Sequence, residues 1–81
     1  MSRYFFHLRQ EGSTVLDEEG DDFATLEEAR ASAVTAVREL IAARIKTGNS
    51  VSDEYMDVMD EAGEVQLSLS FHDVIRSQLR K

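Results

Sequence analysis

The 81-residue chain contains no cysteine. Disulfides and thiolate metal sites are therefore excluded, and a domain this small must rely on its apolar core or on a partner. The absence also suits a reducing cytoplasm. Long apolar runs are missing too. Near the start the run is only Tyr4-Phe5-Phe6, a histidine comes next, and no small-residue cleavage pattern follows. MSRYFFHLRQ thus does not read as a signal peptide. No segment approaches the roughly 18 apolar residues needed to span a bilayer. A soluble, cytoplasmic protein with no membrane partner is expected. Repeats, low-complexity tracts and linkers are also absent, so residues 1–81 read as a single domain.

Positive charge is scarce. Nine Lys and Arg face 16 Asp and Glu, for a net charge of −7. The local sums are −4 over residues 1–25, +1 over 26–47, −6 over 48–64 and +2 over 65–81. Such a surface repels phosphate backbones, and no nucleic-acid partner is expected. A chain of this length buries only about 60% of its unfolded surface. Self-association would therefore add to its stability.

The segments that are present alternate between strand and helix patterns. In Ser2 to Leu8, aromatic residues favour a pleated surface. Alternation puts Tyr4, Phe6 and Leu8 on one face and Phe5, His7 and Arg9 on the other. Aromatics on both faces predict an interior strand. Gly12 marks a turn, and Thr14 to Leu16 return, giving a hairpin over about 3–16. Asp17 to Asp22 read as an acidic loop. Thr25 and Glu28 then have capping-box spacing, and Phe23 and Ala24 precede them to fix the entry of the chain. A helix over about 26–47 follows, with Gly48 at its C′ position, Glu27 and Glu28 at its positive end and Arg44 and Lys46 at its negative end.

Leu26, Ala29, Ala33, Val37 and Leu40 form one apolar row of that helix, with Val34, Ile41 and Ile45 beside it. A second hairpin is predicted over about 55–70. In it Met56 and Val58 share one face, while Tyr55, Asp57 and Met59 share the other. Val65, Leu67, Leu69 and Phe71 alternate with polar residues. Ser70 and Asp73 repeat the capping spacing, predicting a short helix over about 71–79 with Val74, Ile75 and Leu79 as its apolar side and a frayed end at Arg80-Lys81. The fold class is α+β, β-β-α-β-β(-α): a mainly antiparallel sheet with one long helix packed on one face.

In order and spacing, YFFHLR (Tyr4 to Arg9), DEEG (Asp17 to Gly20), TLEEAR (Thr25 to Arg30) and DEAGEV (Asp60 to Val65) resemble a family of short bacterial domains of unknown function. The resemblance covers nearly the whole chain and brings no catalytic residue with it. Glu18-Glu19-Gly20 and Leu26-Glu27-Glu28-Ala29 are also similar to HicB-type antitoxin domains. That second likeness implies an acidic component that neutralises a basic partner.

No motif for chemistry stands out. Asp17, Glu19, Asp21 and Glu28 have carboxylate spacing suited to a calcium loop, but the glycine is misplaced and the preceding element is a strand. His7 and His72 have no local ligand spacing, so no metal site is assigned. No G-x-S-x-G or glycine-rich phosphate loop is present, and no cofactor is expected. Arg76, Arg80 and Lys81 form a basic end that complements a helix dipole.

Geometry is more informative. A helix of 22 residues is about 33 Å long, while six-residue strands reach only about 20 Å. The helix should overhang the sheet, exposing Ile41 and Ile45 or Leu26 and Ala29. The uncovered sheet face should hold Phe5, together with Tyr55 and Met59 or with the opposite residues of that strand. Phe5, Ile41, Ile45, Tyr55 and Met59 are thus the candidate interaction surface. A non-enzymatic protein-interaction or regulatory module, self-associating as a homo-oligomer or bound to a protein partner, is the expected function. A HicB-like antitoxin component and a small enzyme or ligand binder with its site at a dimer interface are the alternatives.

Overall fold

The computed structural model describes residues 1–79; the frayed end expected at Arg80-Lys81 lies outside the described residues. The aromatic opening forms β1 (Ser2–Gln10), which lies inside the sheet as its two aromatic faces predict. On one side it pairs with β4 (Tyr55–Met59), Phe5 opposite Met59 and Arg9 opposite Tyr55. On the other side, two short strands share its length. These are β2 (Ser13–Val15), against Leu8 to Gln10, and β3 (Asp21–Phe23), against Ser2 to Tyr4. Beyond β4 lies β5 (Val65–Ser70), so the main path runs β2-β1-β4-β5 and every pairing is antiparallel.

Strand β3 is absent from the sequence reading, which leaves Asp17 to Asp22 as a loop. Aspartates are poor strand formers. Here Arg3 supplies the compensation: its Nε and one terminal nitrogen each donate to the Asp22 carboxylate at 3.2 Å, and the other nitrogen donates to the Glu19 carbonyl at 2.7 Å. Asp17 fills the gap between β2 and β3. Its Oδ2 accepts the Phe6 N–H at 3.1 Å and its Oδ1 accepts the Gly20 N–H at 3.1 Å. The carboxylate replaces a missing rung of the ladder.

The long helix, α1 (Leu26–Lys46), starts where its caps predict. Thr25 Oγ1 accepts the Glu28 N–H at 3.1 Å. The Glu28 carboxylate accepts the Ala24 N–H at 3.2 Å, one residue earlier than in a reciprocal capping box. At the other end, Asn49 N–H bonds to Arg44 C=O at 2.8 Å and Gly48 N–H to Ile45 C=O at 3.1 Å. This is a Schellman motif, with Gly48 at φ +82°.

Ala29, Ala33, Val37 and Ile41 repeat every fourth residue and are buried against Met56 and Val58 of the sheet. The small alanines let the helix backbone approach closely. Tyr4, Phe6 and Leu8 flank this core, and Phe23 stacks on Phe6 at 5.8 Å, fixing the chain's entry into α1. The second helix, α2 (Phe71–Leu79), is capped by Ser70 Oγ, which accepts the Asp73 N–H at 3.3 Å. Its first residue, Phe71, is completely buried in the same core. Burying that ring contributes about 2–3 kcal/mol. Both helices therefore lie on one face of the sheet, in a body of 37 × 32 × 17 Å whose thin dimension holds only two layers.

Three expectations change. Ile41 is not on an overhanging end but 8% exposed in the core, because α2 packs beside that half of α1. Of the expected overhang, Ile45 alone is largely exposed; Ala29 is buried and Leu26 partly so. Leu79 is 74% exposed rather than packed, at the edge of a hollow it shares with Ile41 and Ile45 of α1. Finally, Val65 leaves the row of Leu67 and Leu69. A register shift next to Val58 pairs it with Met59 instead.

Gly20 has φ +69°, and a Cβ there would meet the Phe5 ring and the Tyr4 carbonyl oxygen at 2.8 Å. Gly48 has a similar φ but open space around it. Gly20→Ala should cost about 2–4 kcal/mol, through strain plus a clash with the Phe5 ring and the β1 backbone. Gly48→Ala should cost only about 1–2 kcal/mol, through strain alone. Urea unfolding of the two variants checks the difference.

Candidate functional site

The face of the sheet opposite the helices is built by the odd residues of β1 and β4. The pairing sets Phe5 against Met59, His7 against Asp57 and Arg9 against Tyr55. Ser68 of β5 lies opposite Asp57 on the other side. A carboxylate is thus surrounded by donors. Arg9 Nε donates to Asp57 Oδ2 at 2.8 Å, and its terminal nitrogen donates to Oδ1 at 3.2 Å. Ser68 Oγ donates to Oδ1 at 2.6 Å. The Arg9 guanidinium also lies 4.5 Å over the Tyr55 ring, a cation–π contact.

The electrostatics follow. The hydrogen bond from Arg9 holds the Asp57 carboxyl below the usual carboxylate range; burial opposes it, while Ser68 and the Arg9 charge reinforce it. At Asp17, burial pushes the carboxyl up, and the backbone donors of Phe6, Gly20 and Glu19 more than offset this, leaving it low as well. His7 Nδ1 accepts the Asp17 N–H at 3.0 Å, which requires that nitrogen to be unprotonated. At the other end of the face, Phe5, Leu16 and Met59 line a hollow of about 340 Å³ together with Asp17, Glu18, Asp60 and Glu61.

Ser68 gives its proton to a carboxylate, not to an imidazole, so it is not an activated nucleophile of the serine–histidine kind. Asp17 and Asp57 are both kept ionised, whereas a general acid must hold its proton near neutral pH.

A second polar cluster is buried at the end of the sheet. Glu54, only 3% exposed, is ion-paired with Arg44 of α1 and accepts a hydrogen bond from Gln10 Nε2 of β1 at 3.2 Å. Burial pushes the Glu54 carboxyl up, and the bonds from Arg44, Gln10 and Ser52 more than offset it, leaving it low. The Glu54 carbonyl accepts the Phe71 N–H at 2.9 Å, and the Arg44 guanidinium lies 5.4 Å from the Phe71 ring centre.

Of the five candidate residues, Phe5 and Met59 meet directly across β1 and β4, and Tyr55 occupies the far end of the same face. Ile45 is 65% exposed elsewhere, along the seam of α1 and α2, and Ile41 is buried. Two of the four acids of the calcium-like spacing are spent on the protein's own donors: Asp17 on β1, Glu28 on the cap. His7 and His72 have different partners, the latter 3.9 Å from Asp53. Among the described residues, no three His, Asp or Glu side chains are grouped as a metal would need.

The family described as a domain of unknown function, DUF6894, matches residues 3–72. The chain belongs to that family. No curated protein and no solved structure matches it. The DUF6894 region runs from the second residue of β1 to the second residue of α2. It therefore includes the whole Arg9–Asp57–Ser68 array and the Glu54 cluster.

Asp57 is stabilised in its charged form by folding, so its contribution is present above the unfolded carboxylate pKa and is lost as the pH falls through the lower folded value. Asp57→Asn should lower stability at pH 7 by about 1–3 kcal/mol. The difference from the wild type should shrink below about pH 4. Thermal melts of both proteins across the acid range check this.

Proposed function

We propose that this DUF6894 protein is a small, non-enzymatic protein-interaction or regulatory module of the cytoplasm that associates with itself. The observation that carries the proposal is the amount of large apolar surface left uncovered. Leu16, Ile45, Val65 and Leu79 are 60%, 65%, 53% and 74% exposed. Phe5 and Met59 add to them on a sheet face that no helix covers. For a two-layer domain of this size, such surface is costly in water and is relieved by contact with another copy or another protein.

The chemistry supports binding over catalysis, since the best-ordered acids are saturated with donors and stay ionised. A lack of cysteine supports a reducing compartment. Among the described residues, no helix is long and apolar enough to cross a membrane.

Multi-angle light scattering over a concentration series tests the self-association. The apparent mass should rise from that of the 9.1 kDa chain toward twice that value. A mass fixed at the monomer value throughout would contradict the reading.

A further inference from the structure

A hollow of about 410 Å³ lies between α1, β5 and α2, lined by Arg30, Val34 and Arg38 of α1, Leu69 of β5 and Val74 of α2. The elements around it come from the two stretches of positive local charge, +1 over residues 26–47 and +2 over 65–81, in a chain of net charge −7. Arg3, Arg9, Arg44 and Arg76 are each paired with an acid. Arg30 and Arg38 are exposed and have no such partner among the described residues. Asp73 also lines the hollow, but Arg76 on the next turn of α2 takes it up. Two guanidinium groups with apolar side chains between them are therefore open to an anionic ligand.

Spacing narrows the class of ligand. Arg30, Val34 and Arg38 follow one another at four residues, so they form a single row of the helix with about 6 Å per step along its axis. Alternate residues of an extended strand repeat at about 6.7 Å. One face of an extended segment therefore matches the row step for step, with acid, apolar and acid side chains at every second residue. The mismatch over both steps is about 1–2 Å, within the reach of an arginine side chain. Strand β5 borders the same hollow and is paired with β4 alone, so main-chain partners for an extended segment stand beside the two arginines.

We propose that this hollow binds an extended acidic segment of a partner protein, of the pattern acid-x-apolar-x-acid. Its two carboxylates meet Arg30 and Arg38, and its apolar side chain meets Val34. This contact is separate from the self-association argued above and does not depend on it. A second copy of the chain is a poor occupant. Here acids four apart with an apolar residue midway occur at Asp53–Asp57, Asp57–Glu61 and Asp60–Glu64. The first two run through β4, which has a strand on each side. The third is closed into a turn in which Asp60 and Glu64 exchange hydrogen bonds of 3.0 and 2.9 Å.

Fluorescence anisotropy with the full chain and a labelled peptide carrying Glu-Thr-Val-Thr-Glu tests this. Saturable binding is expected, with a dissociation constant on the order of 10–100 µM. Arg30→Gln and Arg38→Gln should each weaken it about two- to fivefold, the range of exposed ion pairs, and the double variant about tenfold. Lys46→Gln removes another unpaired base of α1 and should leave binding unchanged. A peptide of the same composition in the order Glu-Glu-Val-Thr-Thr should bind about fivefold more weakly. No saturation, equal affinity for the two peptides, or an equal loss with Lys46→Gln would overturn the proposal. So would a double variant that stays monomeric in light scattering where the wild type associates, because the hollow then holds a second copy. A wild type that binds the peptide but stays monomeric at every concentration would sustain this site and contradict the self-association alone.

Discussion

A buried carboxylate organises this fold. Glu54 is almost completely removed from water, and an ionised group in that position is tolerated only when it is paired and hydrogen-bonded. Two of its partners come from elsewhere in the chain, Arg44 from the last turn of α1 and Gln10 from the end of β1, and Ser52, just before it, supplies a third bond. Its backbone carbonyl takes the first N–H of α2. Satisfying one residue thus fixes how the long helix ends, where β1 stops and where the second helix begins. The Arg44 guanidinium also lies over Phe71, so the charge network and the apolar core share a wall.

With both helices held on one side by that cluster and by the Ala29–Ile41 row, the other side of the sheet remains open. The chain meets this in two ways. At one end it builds a saturated polar array around Asp57, which orders Arg9, Ser68 and Tyr55 without exposing unpaired groups. At the other end it leaves Phe5, Leu16 and Met59 around a hollow that acids also line. The edges show the same division: one broken up by short strands and an aspartate, the other long and bare.

Much of this architecture is local and could be seen in the residues themselves. The interior place of β1 follows from aromatics on alternate positions of both faces. Thr25 and Gly48 mark the ends of α1, and Ser70 marks the start of α2. That Tyr55 and Met59 share a face also follows from a period of two, while their joining Phe5 is set by the register of β1 and β4. What was not legible depends on contacts distant in sequence. Strand β3 is held by Phe23 against Tyr4 and Phe6 and by Arg3 on Asp22, contacts that no local pattern signals. Ile41 is buried because α2 returns beside α1. Val65 changes rows because of a single register shift. Glu54 looks like one more acid in a run of six, and its partners stand ten and 44 residues away.

The account therefore depends most on the Arg44–Glu54 pair, and a double-mutant cycle in equilibrium urea unfolding tests it directly. Glu54→Leu leaves the Arg44 charge buried without its partner and should cost about 3–5 kcal/mol. Adding Arg44→Met removes that stranded charge and should recover most of the loss, because a buried pair is often replaceable by apolar groups of similar volume. A Glu54→Leu protein within about 0.5 kcal/mol of the wild type, or a double variant no more stable than Glu54→Leu alone, would contradict it.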